Sequence, residues 1–182
     1  MKSIIGWHFA RRNNWLGYGD NRKIMNGESL SVEGEIVPCK NGLHVGVTAM
    51  DALRYASGPR LYRCELSGDL RAHGDPIDKY AGRTRLALAG GEDATPFLRA
   101  SARQFAADVL HLWDTPEIVR QYLLSGDKSL RRAAAEAARA EAARAAAAFD
   151  IRAKQSAWLE SAALAWIERG EIPAVTIPEV PA

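Results

Sequence analysis

Asn41-Gly42-Leu43-His44-Val45-Gly46-Val47-Thr48-Ala49-Met50-Asp51-Ala52-Leu53-Arg54-Tyr55-Ala56-Ser57-Gly58-Pro59-Arg60-Leu61-Tyr62-Arg63-Cys64-Glu65-Leu66-Ser67-Gly68 is the stretch on which the fold turns. Asn41-Gly42 is a turn signal. Leu43–Val47 then reads as a short buried strand. Thr48, with Asp51 three residues on, resembles a capping box and starts a helix. The helix runs to about Tyr55–Ser57 and stops at Gly58-Pro59. Leu61–Leu66 alternates as a strand does, and Ser67-Gly68 ends it. Strand, helix and strand follow one another, but the strands are too short for a doubly wound sheet. The expected class is α+β: a small, mostly antiparallel sheet with packed helices.

Toward the N-terminus, residues 3–9 form an opening strand. A polar loop with Trp15 and Tyr18 follows, and Leu30, Val32, Ile36 and Val37 mark short strands broken at Gly34 and Pro38. Toward the C-terminus, Asp69–Gly91 is loop-rich with one strand at Thr84–Ala89. Thr95-Pro96 and Thr115-Pro116-Glu117 both look like a capping residue ahead of a proline, and Gly126 closes the second helix. From about Ser129 to Arg169 the pattern is one continuous Ala-rich helix ending at Gly170. Phe149, Ile151, Trp158, Leu159 and Trp166 supply its apolar face. A helix of about 40 residues is roughly 60 Å long, so it projects, bends or packs on a partner. The expected division is residues 1–126, the long helix 127–170 and a weakly ordered proline-containing tail 171–182.

The 182 residues suffice for a core without covalent staples. With 24 basic and 22 acidic residues, bulk charge does not point to nucleic acid. Cys39 and Cys64 are far apart and read as two small buried hydrophobes, with a single disulfide as the alternative. No apolar run approaches the ~20 residues of a membrane span. A cytoplasmic location is expected.

No phosphate-binding loop, dinucleotide fingerprint, HExxH, CxxC or GxSxG is present. Among the four histidines, His8 and His44 each follow an apolar residue in a short strand. Adjacent central strands would bring both into one cleft. Arg11, Arg12, Arg22 and Lys23 flank Trp15 and Tyr18, a pattern able to stack bases and hold phosphates. A solvated loop anchored by its aromatics accounts for the same residues and is the preferred reading.

The segments Asn41–Val45, Ala49–Tyr55 and Leu61–Gly68 resemble a group of phage and prophage proteins defined as a domain of unknown function. The resemblance spans roughly residues 1–125 and implies a phage-type setting, in a host bacterial cytoplasm. The same order is similar to the ADP-ribosyltransferase fold of the diphtheria-toxin and poly-ADP-ribose-polymerase type. Trp7-His8 stands for that family's Trp-His-Gly, Gly42–Val45 for its Gly-Ile-Tyr-Phe-Ala, and Cys64-Glu65-Leu66 for the following strand. The resemblance implies that His8 bonds the ribose of NAD and Tyr55 stacks on the nicotinamide, with His44 beside them. His44 replaces a tyrosine of the family and Ala52 a serine. No late catalytic glutamate is found in a strand, since Glu92, Glu117 and the helical glutamates read as lying in other elements.

Two functions follow. The first is a phage- or prophage-encoded accessory protein that acts by binding, for instance inhibiting a host defence factor, with no cofactor. Its contacts would be Trp15, Tyr18, Arg139, Arg144, Trp158 and Trp166, to a protein partner or a second copy through the C-terminal helix. The alternative is an NAD-dependent ADP-ribosyltransferase that modifies a host protein or nucleic acid. A membrane is not expected in either.

Overall fold

The computed structural model describes residues 2–141 and 151–177. The chain is α+β. Among the described residues seven strands form: β1 (Ser3–Ala10), β2 (Ser29–Ser31), β3 (Leu43–Gly46), β4 (Arg60–Ser67), β5 (Arg71–His73), β6 (Lys79–Gly82) and β7 (Thr84–Asp93). They form one antiparallel sheet in the order β2-β7-β4-β1-β3-β6-β5. The helices are α1 (Ala49–Arg54), α2 (Thr95–Ala107), α3 (Glu117–Ser125), α4 (Arg131–Glu141) and α5 (Ile151–Arg169). The expected helix over residues 142–150, with Phe149 and Arg144, lies outside the described residues.

Contacts group the chain into two compact units. One holds Met1–Thr95 and Leu159–Glu171, the other Pro96–Trp158 and Ile172–Ala182. The segments expected from the sequence, 1–126, 127–170 and 171–182, follow secondary structure instead.

In the first unit, β1 pairs with β4 over eight residues, from Ser3↔Ser67 to Ala10↔Arg60. Its other neighbour, β3, meets it at a single pair, Trp7↔Gly46. The sheet therefore splits between its two central strands. Gly46 allows the close approach there: a Cβ on it would stand 2.5 Å from the Ala52 backbone nitrogen, so α1 seats directly on the strand. Thr48 caps α1 as expected. Its hydroxyl accepts from the Asp51 backbone at 3.1 Å, and Asp51 accepts from the Thr48 backbone at 3.2 Å.

One face of the sheet buries Ala10, Leu43, Val45, Tyr62, Cys64, Leu66 and Ala87 under Leu16 and Ile24 of the polar loop. Alternation puts those residues on one side, and the loop serves as their cover. Trp7 is fully buried with the Arg63 guanidinium 4.5 Å over its ring. The α5 residue Glu160 accepts from Trp7 Nε1–H at 2.5 Å and from the Ala49 backbone N–H at 2.8 Å. The second contact sets a carboxylate at a helix N-terminus, its favoured end.

The second unit has its own core of Ala107, Leu110, Val119, Leu123 and Ala134. Phe105 and Trp158 meet edge to face, ring centroids 6.1 Å apart. The tail differs from expectation: Gln104 bonds Thr176 twice, accepting from its N–H at 2.8 Å and donating to its carbonyl at 3.0 Å. Val175 and Ile177 pack on the core, so the segment is held. Pro178 and Pro181 lie outside the described residues.

Further local readings are corrected. Residues 71–73 and 79–82, read as loop, are the strands β5 and β6. Strand Thr84–Ala89 extends to Asp93 and so includes Glu92. Around Val37 there is only a bridge to Asn41. Thr115 does not cap α3; its hydroxyl donates toward the Leu110 and Trp113 carbonyls, and the capping position before Glu117 falls to Pro116, which makes no side-chain cap bond. Cys64 is buried, but Cys39 is exposed at a φ of 66°, and both are free thiols. No helix among the described residues is long and apolar enough to cross a membrane.

Candidate functional site

Where β1 and β3 part, a cleft of about 490 Å³ opens in the first unit. Its lining includes His8 from β1, His44 from β3, Tyr55 from the end of α1, Lys79 from β6 and Arg85 from β7. The polar loop closes it on one side with Leu16, Gly17, Tyr18 and Asp20. His8, His44 and Tyr55, expected in one cleft, do meet there. A smaller cavity beside it shares these three and Lys79.

Sequence reasoning missed two cleft residues, Lys79 and Arg85; Arg85 is the more deeply buried. It is 2 % exposed, and it pairs across the ladder with Leu66. Its Nη1 donates to the His44 carbonyl at 2.9 Å. Its Nε and Nη2 are buried with no partner. Burying a guanidinium with unmet donors is costly, and such groups are normally paired. Burial dominates its lowered proton affinity, opposed by the nearby Cys64 and Asp20.

His8 has the same character. Its Nε2 is buried and unpartnered. Burial first, then the positive charge of Arg85, hold its pKa well below the ordinary value, so the ring is neutral at pH 7. His44 is lowered to about 4 by burial and then by Lys79 and Arg85. Its Nε2 accepts from the Cys39 backbone N–H at 3.2 Å, so this ring braces its own loop.

Lys79 is 7 % exposed, and its ammonium lies 3.6 Å from the Tyr55 ring centroid, a cation–π contact. Tyr55 Oη donates to Asp78 Oδ2 at 2.6 Å; that bond and burial raise the phenol's pKa. Asp20 is the one carboxylate among the described residues that line the cleft. Arg22 grips it with Nη2 at 2.7 Å and Nε at 3.0 Å and so lowers its pKa. Its charge is thus neutralised locally, and the cleft interior is cationic.

The other candidates are dispersed. Trp15 is half-buried and bridges to Lys23. Tyr18 is 82 % exposed at the cleft wall. Arg139 is exposed on α4, Trp158 contacts Phe105, and Trp166 is half-buried on α5. Arg144 lies outside the described residues. Glu92 stands on a strand, contrary to expectation, but its side chain is 88 % exposed near Arg60 and does not line the cleft. No metal-binding group of His, Cys, Asp or Glu occurs among the described residues.

The two histidines predict a pH dependence of stability. Both folded pKa values lie below the unfolded value of about 6.5. The unfolded chain therefore binds more protons than the folded one as pH falls through 6.5 toward 4. Stability from this source is full above pH 6.5 and is lost across that window. For His44, allowing for its partial exposure, the loss is about 1–2 kcal/mol. Urea midpoints at pH 7 and pH 5 measure the two together, and His44→Gln reduces the difference by the share of His44, leaving that of His8.

No family model, curated protein or solved structure matches the chain.

Proposed function

We propose that the protein binds a phosphate-bearing small molecule in this cleft and acts by holding it. The observation that carries this is Arg85: a buried arginine among the residues lining the cleft, with two guanidinium nitrogens lacking partners. An anionic oxygen satisfies both, and planar, bidentate recognition of phosphate suits this group. Lys79 adds positive charge. His8, neutral, offers one more hydrogen bond through Nε2. The volume lies within the usual range for small-molecule sites.

This reading is compatible with a phage-type accessory protein. A protein that holds a ligand without converting it acts by sequestering it or by presenting it to a partner.

The ADP-ribosyltransferase reading draws support from one observation, the meeting of His8, His44 and Tyr55 in one cleft. The side chains suit the pyrophosphate of NAD and not its nicotinamide. Tyr55, expected to stack on that cationic ring, carries the Lys79 ammonium over its own. Like charges repel there, and the lining carboxylate, Asp20, is tied to Arg22.

Thermal-shift titrations with inorganic pyrophosphate and with NAD test the proposal. A ligand that binds only the folded state adds RT ln(1 + [L]/Kd) to stability, about 2.7 kcal/mol at 100 Kd. Pyrophosphate is expected to raise the melting temperature at low salt and less so at high salt. No shift from pyrophosphate at millimolar concentration would refute it.

A further inference from the structure

We infer that the ligand is a nucleotide, with Tyr18 as the platform for its base. The inference rests on the phosphate reading above and names the class of molecule.

Tyr18 is a cleft-lining aromatic residue that is 82 % exposed. An aromatic side chain left in water forgoes the large burial that such rings usually gain. Its backbone is also unusual, with φ at 59°, a region that bulky residues rarely adopt. Two bonds hold it there. The Asp20 N–H donates to the Gly17 carbonyl at 3.2 Å, which closes the turn. Tyr18 Oη donates to the Tyr55 carbonyl at 3.0 Å, which fixes the ring against the end of α1. The loop beneath is anchored by Leu16 and Ile24, both in the core.

The flat face is therefore positioned in advance and uncovered, at the wall of the same cleft that holds Arg85. A ligand that uses both ends carries an anionic phosphate and a flat ring. Base–aromatic stacking has the right chemistry for the ring, and it accepts any base because each has a π-face. The tether from Asp20 to Arg22 keeps the acidic group at this wall from repelling the phosphate. Tyr55 does not provide this platform, because the Lys79 ammonium lies over its ring.

The test is calorimetric titration of ADP and of inorganic pyrophosphate into the full chain and two variants. Tyr18→Asn removes the ring yet tolerates the positive φ, so the turn survives. Tyr18→Phe keeps the ring and removes the hydroxyl. The wild type is expected to bind ADP roughly tenfold or more tighter than pyrophosphate. Tyr18→Asn is expected to erase that advantage and leave pyrophosphate affinity unchanged, while Tyr18→Phe, which keeps the ring but not the bond that fixes it, is expected to retain part of it. Pyrophosphate binding with no advantage for ADP in the wild type would overturn the nucleotide inference alone. So would equal weakening of both ligands by Tyr18→Asn, or an ADP advantage that survives in Tyr18→Asn. Failure of both ligands to bind the wild type would overturn the phosphate reading and this inference with it.

Discussion

Arg85→Met weakens pyrophosphate binding by roughly a hundredfold or more and leaves the fold as stable as before, or more stable. The two effects have one cause. In the free protein the guanidinium is 2 % exposed and makes one hydrogen bond, from Nη1 to the His44 carbonyl. Its Nε and Nη2 have none. Replacing a buried charge of this kind with an apolar side chain of similar volume is often neutral or stabilising by about 1–4 kcal/mol. The methionine stem lies beside Leu66, which is fully buried, and accommodates irregular space. The anion, meanwhile, loses charge-assisted hydrogen bonds worth about 1.5–3 kcal/mol each. Two of them amount to a loss of roughly a hundredfold or more in affinity. Urea unfolding and calorimetric titration of the same preparation read both numbers. A large loss of stability with binding intact would make Arg85 a structural residue.

Trp7→Ala is expected to cost about 3–5 kcal/mol, the range for truncating a buried aromatic. That is a large share of the 5–15 kcal/mol that keeps a domain folded. Trp7 is fully buried at the one residue pair that joins β1 to β3, Trp7↔Gly46. It is also where α5 meets the sheet, through the Nε1–H bond to Glu160. Removing the indole leaves Arg63 without its ring and Glu160 with one fewer donor. Trp7→Phe separates the contributions. It keeps the ring contact with Arg63 and removes the hydrogen bond, for about 1–3 kcal/mol. Denaturant unfolding measures both. A Trp7→Ala variant within 1 kcal/mol of wild type would show that the split in the sheet is held elsewhere.

Much of this architecture is local in origin and therefore readable. Residues 3–9, a short apolar run, and residues 61–66, which alternate, identify β1 and β4. The Asn41-Gly42 turn and the Thr48/Asp51 pair punctuate β3 and α1 within a few residues of where they fall. Gly126, at φ 67°, ends α3 for the reason expected. The strands β5 and β6 were not readable. Arg71-Ala72-His73 and Lys79-Tyr80-Ala81-Gly82 have little strand character of their own, and they become strands by pairing with each other and with β3.

The site divides in the same way. His8, His44 and Tyr55 stand out as polar or aromatic residues next to apolar runs, and the order of elements brings them together. Arg85 and Lys79 look like solvated charges on a strand. Their burial depends on the loop and the neighbouring strand, which no short window contains. A weak signal did exist: Arg85 alternates in step with Ala87, and Lys79 with Ala81, and both alanines face inward. Glu160 had no such signal, because its partners Trp7 and Ala49 are more than a hundred residues away.

The most direct measurement on the anion site is the hydrogen–nitrogen correlation spectrum of the arginine Nε–H groups during a pyrophosphate titration. Arg85, assigned by its loss in Arg85→Met, has an Nε–H that is buried and unpartnered in the free protein. An oxyanion arriving there moves that resonance well beyond every other arginine and slows its exchange with water. A resonance that stays in place while the protein saturates with pyrophosphate would contradict the site.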